Sequence, residues 1–157
     1  MNRINYWALS LCMLLLATTN WSCNEVECSL TDDVAIIKQY LDDNNLTAIE
    51  SESGLHYVIE EEGIGNLYPN LNSQVKVVYK GYFTDGEVFD QSPATGVEFS
   101  LRGVIAGWQE GIPKFKKSGK GKLLIPSRLG YGTQSVGGIP NRECSVLVFD
   151  IELKDFQ

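Results

Sequence analysis

The side chains that could form a site in this chain are aromatic rings and large aliphatic groups, rather than nucleophiles or acids and bases. They lie at predicted strand ends and turns, and many have glycine or proline beside them: Tyr79, Phe89, Phe99, Val104, Ile105, Trp108, Tyr131, Ile139 and Phe149. Any one of them alone would be expected in a protein core. Together they predict an apolar groove that is lined by rings.

Reactive groups are too few for hydrolytic, redox or metal-dependent chemistry. The chain has one histidine, His56, and four scattered cysteines among its 157 residues, a composition that does not form a zinc cluster. Its sequence contains neither a G-x-x-x-x-G-K-[ST] phosphate loop nor a G-x-S-x-G elbow with a suitable histidine. The formal charge of −7 argues against nucleic acid as a partner. We therefore expect no metal, no cofactor and no nucleic acid.

The N-terminal residues are typical of an export signal. Arg3 is the only charged residue before Glu25, and residues 7–17 form a run that is apolar except for Ser10. This run has the length of a secretory h-region and is too short to span a bilayer. We predict that residues 1–22 are a signal peptide and that Cys23, placed as in a bacterial lipobox, becomes lipid-modified. The alternative is ordinary secretion with an unmodified Cys23.

Residues 23–49 are predicted to be a lipidated tether that contains one short helix. Apolar residues recur there at helical spacing: Val34, Ile36, Ile37, Tyr40 and Leu41. Thr31 or Asp32 could cap the start of the helix, and Asn44 with Asn45 would end it. We expect this helix to pack on its own domain; the alternative is a dimerisation or spacer helix.

Cys28 and Cys144 would both remain after removal of a signal peptide, in an oxidising compartment. They could form a disulfide, or both could stay free, and the sequence does not decide between these states. A chain of this length buries enough surface to fold without such a crosslink.

After residue 50 the apolar pattern becomes alternating, as in β-strands. Strands are predicted at 55–59, 74–83, 87–90, 97–101, 120–125 and 145–153, with a hairpin turn at 84–86. One further helix is predicted from Ile105 to about Ile112. Several antiparallel strands with a single helix indicate an α+β fold in which a sheet wraps over that helix.

Five segments, in this order, resemble the FKBP family of peptidyl-prolyl cis-trans isomerases: VKVVYKGYFTDGEVFDQS, VIAGWQEGI, IPSRLGYG, GGIP and VLVFDIEL. The resemblance covers residues 50–157 and implies an isomerase domain in which an antiparallel sheet curls around one short helix. It also implies an enzyme that accelerates proline-limited folding of exported proteins. The alternative is a non-catalytic, chaperone-like module that binds proline-containing or unfolded segments.

The resemblance implies a pocket for the prolyl group. Trp108 would form its floor, and its walls would be Tyr79, Phe89, Phe99 and Phe149. Val104 and Ile105 would form the rim, where the Ile105 backbone N–H would bind a substrate carbonyl.

The resemblance further implies a polar edge and a flap for this pocket. Asp90 would be a carboxylate buried at the pocket edge, held by tyrosine hydroxyls. The hydroxyl of Tyr131 would bind the ligand, and Ile139 would close over the proline. The residues expected to be catalytic are thus Asp90, Tyr131, Ile105 and Trp108.

The partners implied are proline-containing polypeptides, macrolide inhibitors and, through Cys23, a membrane. We expect a periplasm-facing lipoprotein of the bacterial outer membrane. Residues 141–144 depart from the family pattern beside the flap. The five lysines within residues 114–122 indicate either a solvated face or a contact with acidic clients or headgroups.

Overall fold

The computed structural model describes residues 27–157 of the chain. The predicted signal peptide, residues 1–22, and the predicted lipidation site, Cys23, lie outside the described residues. Within 27–157, no helix is both long and apolar enough to cross a bilayer. The helices and strands are α1 Leu30–Asp43, β1 Ile49–Glu50, β2 His56–Glu61, β3 Gln74–Phe83, β4 Val88–Gln91, β5 Val97–Ser100, α2 Ala106–Gly111, β6 Lys120–Ile125 and β7 Leu147–Phe156.

The seven strands within residues 27–157 belong to one antiparallel sheet. The order along the sheet is β1-β2-β6-β7-β3-β4, and β5 also pairs with β3. The two ten-residue strands β3 and β7 pair along almost their whole length, from Val75 opposite Phe156 to Phe83 opposite Leu147. This confirms the α+β fold with an antiparallel sheet, one short helix and a preceding N-terminal helix.

The main core lies between the sheet and α2. Alternate residues of β7 face it, with Leu147 and Leu153 fully buried, and Ile112 and Phe115 after α2 complete it. Burial of each such side chain contributes roughly 1.5–3 kcal/mol. Because β3, β6 and β7 all contribute to this core, the sheet fixes the position of α2.

Helix α1 packs on the opposite face of the sheet, as predicted for a helix bound to its own domain. Its Ile37 and Leu41 form a second apolar cluster with Leu124, Val146 and Val148. Both faces are therefore buried where β6 and β7 pair, which explains the continuous apolar run at the start of β7.

The predicted cap of α1 was wrong. Ser29 is the N-cap, with extended backbone, and its side chain accepts a hydrogen bond of 3.3 Å from the Asp32 N–H. Thr31 and Asp32 are cap-forming types, but both lie inside the helix, where Asp32 favours the positive end of the helix dipole. The predicted end is confirmed: Asn44 is the C-cap.

Candidate functional site

A cavity of about 310 Å³ opens between α2 and the sheet. It is lined by Tyr79, Asp90, Phe99, Gly103, Val104, Ile105, Trp108, Tyr131 and Phe149. Strands β3, β4, β5 and β7 each supply one of these residues, and the others come from α2, the segment before it and the loop at 126–146. The fold thus brings together residues that are distant in the sequence.

Trp108 lies at the centre of this ring cluster and is 4% exposed. Its ring centroid lies 5.1 Å from that of Tyr79, 5.6 Å from Phe99 and 5.3 Å from Phe149, each pair nearly perpendicular. Edge-to-face contacts of this kind stabilise beyond simple burial. Among the described residues, none accepts a hydrogen bond from the buried indole N–H. The cavity is therefore open and apolar, with the indole as its floor.

Two glycines set the position of α2 and of its tryptophan. A Cβ atom at Gly111 would lie 2.6 Å from Leu123 of β6, and one at Gly107 would be closer still to Ile125. A larger residue at either position would require the helix or these buried side chains of β6 to shift. Because Trp108 follows Gly107 directly, the floor of the cavity depends on this close approach.

The rim of the cavity is the segment that enters α2. The Ile105 carbonyl accepts hydrogen bonds from the N–H groups of Trp108 (2.9 Å) and Gln109 (3.1 Å). The Gln109 side chain donates a hydrogen bond of 2.8 Å to the Val104 carbonyl. Within residues 27–157, no backbone carbonyl accepts from the Ile105 N–H. That N–H is therefore a donor that a ligand could use at the edge of the cavity.

A phenol and a carboxylate form the polar edge. The Tyr79 hydroxyl donates a 2.7 Å hydrogen bond to Asp90 Oδ2. Burial, this hydrogen bond and the Asp90 charge raise the pKa of Tyr79 well above its usual range. Burial and the Asp90 charge also raise the pKa of Tyr131, whose side chain is 40% exposed. Both phenols are therefore protonated donors at neutral pH.

The expectation that Asp90 is buried was wrong, because the residue is exposed. Asp90 lies on β4, which is an end strand of the sheet and, among the strands of residues 27–157, pairs only with β3. Within this part of the chain no further strand covers its outer side, so the carboxylate is held at the cavity mouth by Tyr79 while it remains in contact with solvent.

Phe89 and Ile139 do not line the cavity. The Phe89 ring contacts Phe149 edge-to-face, with centroids 5.4 Å apart, and also contacts Phe83. Phe89 therefore supports the Phe149 wall from behind. Ile139 is half-buried and packs against the core from the loop at 126–146.

Gly103, by contrast, lines the cavity without having been predicted. A Cβ at this glycine would have no neighbour within 4 Å, so its backbone borders open space. A glycine directly before the predicted rim residues was the available signal.

The loop at 126–146 is attached at several points. Cys28 and Cys144, whose state the sequence left open, form a disulfide with a Cα–Cα distance of 5.0 Å. Arg142 forms ion pairs with Asp85 and Glu87 of the β3–β4 turn, and its guanidinium lies 4.2 Å from the Phe83 ring centroid. Two residues of the segment 141–144, Arg142 and Cys144, thus anchor the loop.

Four of the five lysines within residues 114–122 form ion pairs with acidic residues from other parts of the chain. Ion pairs join Lys116 to Glu62, Lys117 to Asp155, Lys120 to Glu61 and Lys122 to Asp150. This pairing favours the interpretation of a solvated face over that of a surface for acidic clients or headgroups.

Residues 65–154 match the profile of the FKBP-type peptidyl-prolyl cis-trans isomerases. The chain is 48% identical over 107 residues to the FKBP-type isomerase FkpA of Escherichia coli K12, an alignment that covers 67% of this chain and 38% of FkpA. FkpA of Buchnera aphidicola from Schizaphis graminum is 43% identical over 110 residues, or 69% of this chain and 43% of that protein. The chain thus spans less than half the length of these curated relatives, which are bacterial.

Solved structures show the same likeness in three dimensions. The crystal structure of Escherichia coli FkpA superposes with a TM-score of 0.69 at 41% identity, over 82% of this chain and 61% of that one. A peptidyl-prolyl cis-trans isomerase from Pseudomonas syringae superposes with a TM-score of 0.68 at 27% identity, over 85% of this chain and 99% of that one.

Proposed function

We propose that this chain, which belongs to the FKBP-type peptidyl-prolyl cis-trans isomerase family, catalyses rotation about X–Pro bonds in polypeptides. The observation that carries the proposal is the open apolar cavity of about 310 Å³ with Trp108 as its floor. Its size and aromatic lining suit a prolyl ring. Its donors at the edge suit the amide carbonyls on either side of that ring.

The chemistry requires neither a nucleophile nor a bond cleavage. Rotation about the imide bond faces a barrier of roughly 18–20 kcal/mol, because amide resonance is lost. Without a catalyst the exchange takes about 10–100 s. The planar imide is the more charge-separated state, so a water-poor pocket disfavours it relative to the twisted transition state. Holding the residues on both sides of the bond then lets the imide rotate within a fixed frame.

Each lining residue contacts a different part of the bound segment. Trp108 supports the prolyl ring from below, and the walls are Tyr79, Phe99 and Phe149, with Phe89 behind them. Val104 and Ile105 form the rim, and the Ile105 N–H binds the carbonyl before the proline. Ile139 belongs to the flap over the bound segment.

Asp90 and Tyr131 act at the cavity mouth. Asp90 is an orienting charge, since the 2.7 Å hydrogen bond from Tyr79 holds its carboxylate there. Tyr131 donates from its protonated hydroxyl to a second substrate carbonyl. Neither residue transfers a proton to the imide. The catalytic set is Asp90, Tyr131, Ile105 and Trp108.

The substrates are exported polypeptides whose folding waits for a proline to isomerise. This rests on the predicted export signal in residues 1–22, followed by the predicted tether at 23–49 and the domain at 50–157. Lipid modification of Cys23 would hold the domain at the periplasmic face of the bacterial outer membrane. Mass measurement of the processed N-terminus tests cleavage and lipidation together: an unmodified Cys23 refutes the anchor and leaves the isomerase proposal standing.

A protease-coupled assay with a proline peptide tests the catalytic proposal. Residues 24–157 should accelerate the cis-to-trans phase in proportion to enzyme concentration. A macrolide of the kind that occupies apolar prolyl pockets should compete in the same assay. Binding of the peptide without acceleration would refute catalysis and support the non-catalytic binding module instead.

A further inference from the structure

The loop at 126–146 carries Tyr131 into the cavity, and hydrogen bonds on both sides of that residue hold it. The Ser127 carbonyl accepts from the N–H groups of Gly130 (2.9 Å) and Gly132 (2.8 Å), which flank Tyr131. The Gly132 carbonyl accepts from the Cys144 N–H at 2.8 Å. The position of the tyrosine thus depends on Ser127 from one side and on Cys144 from the other.

Ser127 is fixed in turn by a buried carboxylate from a distant part of the chain. Asp33 Oδ2 accepts hydrogen bonds from both the backbone N–H (2.9 Å) and the hydroxyl (2.6 Å) of Ser127. Asp33 is 3% exposed and Ser127 is fully buried. Two hydrogen bonds to one buried oxygen thus fix both the backbone and the side chain of Ser127, and leaving buried donors unpaired is costly.

Cys144 is fixed by the same segment through its disulfide to Cys28. Cys28 and Asp33 lie just before and within the first turn of α1, which is outside residues 65–154 that match the family. The start of α1 therefore holds the loop at two points, and both lead to the residues next to Tyr131. The apolar face of α1 at Ile37 and Leu41 packs on the sheet and forms neither of these attachments.

We propose that Asp33 is a positioning residue that fixes Tyr131 through Ser127, with the Cys28–Cys144 disulfide as a second attachment of the same loop. This inference rests on the proposed function for its catalytic consequence. On this proposal α1 supports the substrate site, and the buried Asp33, which does not line the cavity, positions one of its residues. Loss of the Asp33–Ser127 hydrogen bonds widens the range of Tyr131 positions. The Tyr131 hydroxyl is then less often placed to donate to a substrate carbonyl.

Three variants test the proposal: Asp33→Ala, Asp33→Asn and Leu41→Ala. The first removes the acceptor of both hydrogen bonds. The second keeps an oxygen that can accept them and should rescue the loop. The third is the matched control, because it weakens the packing of α1 on the sheet and leaves the contacts of Asp33 in place. All three are compared with the wild type at a temperature where circular dichroism shows them folded.

Hydrogen exchange by NMR reports on the loop directly. Relative to amides of β3, Asp33→Ala should speed exchange at Gly130 and Gly132 about tenfold or more. Asp33→Asn and Leu41→Ala should stay within about threefold of the wild type. If Asp33→Ala does not fold, Ser127→Ala removes only the hydroxyl contact and should produce a smaller change in the same direction. Exchange at both glycines that matches the wild type in a folded Asp33→Ala variant overturns the proposal.

Kinetics with a proline peptide then test the link to Tyr131. Asp33→Ala should lower kcat/KM on the order of tenfold, whereas in a Tyr131→Ala background it should have no further effect. Equal losses in both backgrounds would show that Asp33 acts elsewhere and overturn the proposal. A wild type without isomerase activity would refute the proposed function instead, and the exchange data would still decide whether Asp33 holds the loop.

Discussion

Replacement of Trp108 separates the role of the cavity floor from that of core packing. Trp108→Ala removes a side chain that is 4% exposed, together with its three edge-to-face ring contacts. Large-to-small changes of this kind cost about 3–5 kcal/mol. The variant also removes a buried N–H that has no partner among the described residues, and such a group costs about 1–3 kcal/mol. Removal of this unpaired N–H offsets part of the packing cost. We therefore expect Trp108→Ala to lower the free energy of unfolding by about 3 kcal/mol, the lower end of the range for such changes.

Phe115→Ala provides the matched control. Phe115 is almost fully buried in the same core but does not line the cavity. Its truncation should cost about 3–5 kcal/mol, so it destabilises the protein at least as much as Trp108→Ala. Chemical denaturation measures both losses and identifies a temperature at which both variants are folded.

Activity should distinguish the two variants. Without the indole, water can enter the floor and the prolyl ring loses its support, so kcat/KM for a proline peptide should fall on the order of 10- to 100-fold. Phe115→Ala should stay within about threefold of the wild type, and Trp108→Phe should retain most of the activity because a ring remains. A folded Trp108→Ala enzyme with unchanged kcat/KM would refute the assignment of the floor.

Three further predictions concern the disulfide, the hydrogen bond at the cavity mouth and the response to pH. Replacing Cys28 and Cys144 by serine opens a crosslink that spans 116 residues and should lower the free energy of unfolding by about 2–5 kcal/mol; an unchanged denaturation midpoint under non-reducing conditions would show that the thiols are not paired in solution. Tyr79→Phe keeps the ring but removes the hydrogen bond to Asp90. We expect kcat/KM to fall several-fold and the free energy of unfolding to fall by about 1 kcal/mol. Full activity would contradict the orienting role of the carboxylate. Because the pKa values of Tyr79 and Tyr131 are raised, kcat/KM should show no loss between pH 7 and about 10, the ordinary pKa of tyrosine. The stability that these phenols contribute is present below about pH 10 and is lost as the pH rises through their folded-state pKa values; ultraviolet titration of phenolate would contradict this if either tyrosine ionised at or below its ordinary pKa.

The strands of the site could be predicted where alternation was long and unambiguous. Residues 74–83 and 120–125 form strands with the predicted bounds. The first is rich in β-branched and aromatic residues, and in the second lysines alternate with Gly121 and Leu123 before Pro126. The two-residue strand at 49–50 was missed, since two residues carry no period. The start of α1 was ambiguous because residues 29–32 are rich in cap-forming types: Thr31 or Asp32 was predicted, and Ser29 is the N-cap.

Most residues of the cavity could be predicted because they lie in segments that resemble a known family. Phe99 and Gly103 lie outside those segments, and Gly103 was missed. Their supports could not be predicted, since these are pairings across the fold. Asp33 and Ser127 are 94 positions apart, and only the packing of α1 on the sheet brings them together. The same holds for Cys28 and Cys144. Exposure of Asp90 likewise follows from the place of β4 at the end of the sheet, which the local sequence does not specify.

Exchange NMR of a proline peptide with residues 24–157 tests the central claim most directly. In this chain segment Trp108 is the only tryptophan, so its indole N–H gives one resonance. We expect catalytic amounts of protein to produce cis–trans exchange peaks for the peptide, and stoichiometric peptide to shift the Trp108 indole signal. Absence of exchange peaks while the indole signal shifts would contradict catalysis, and exchange with an unperturbed indole would contradict the site.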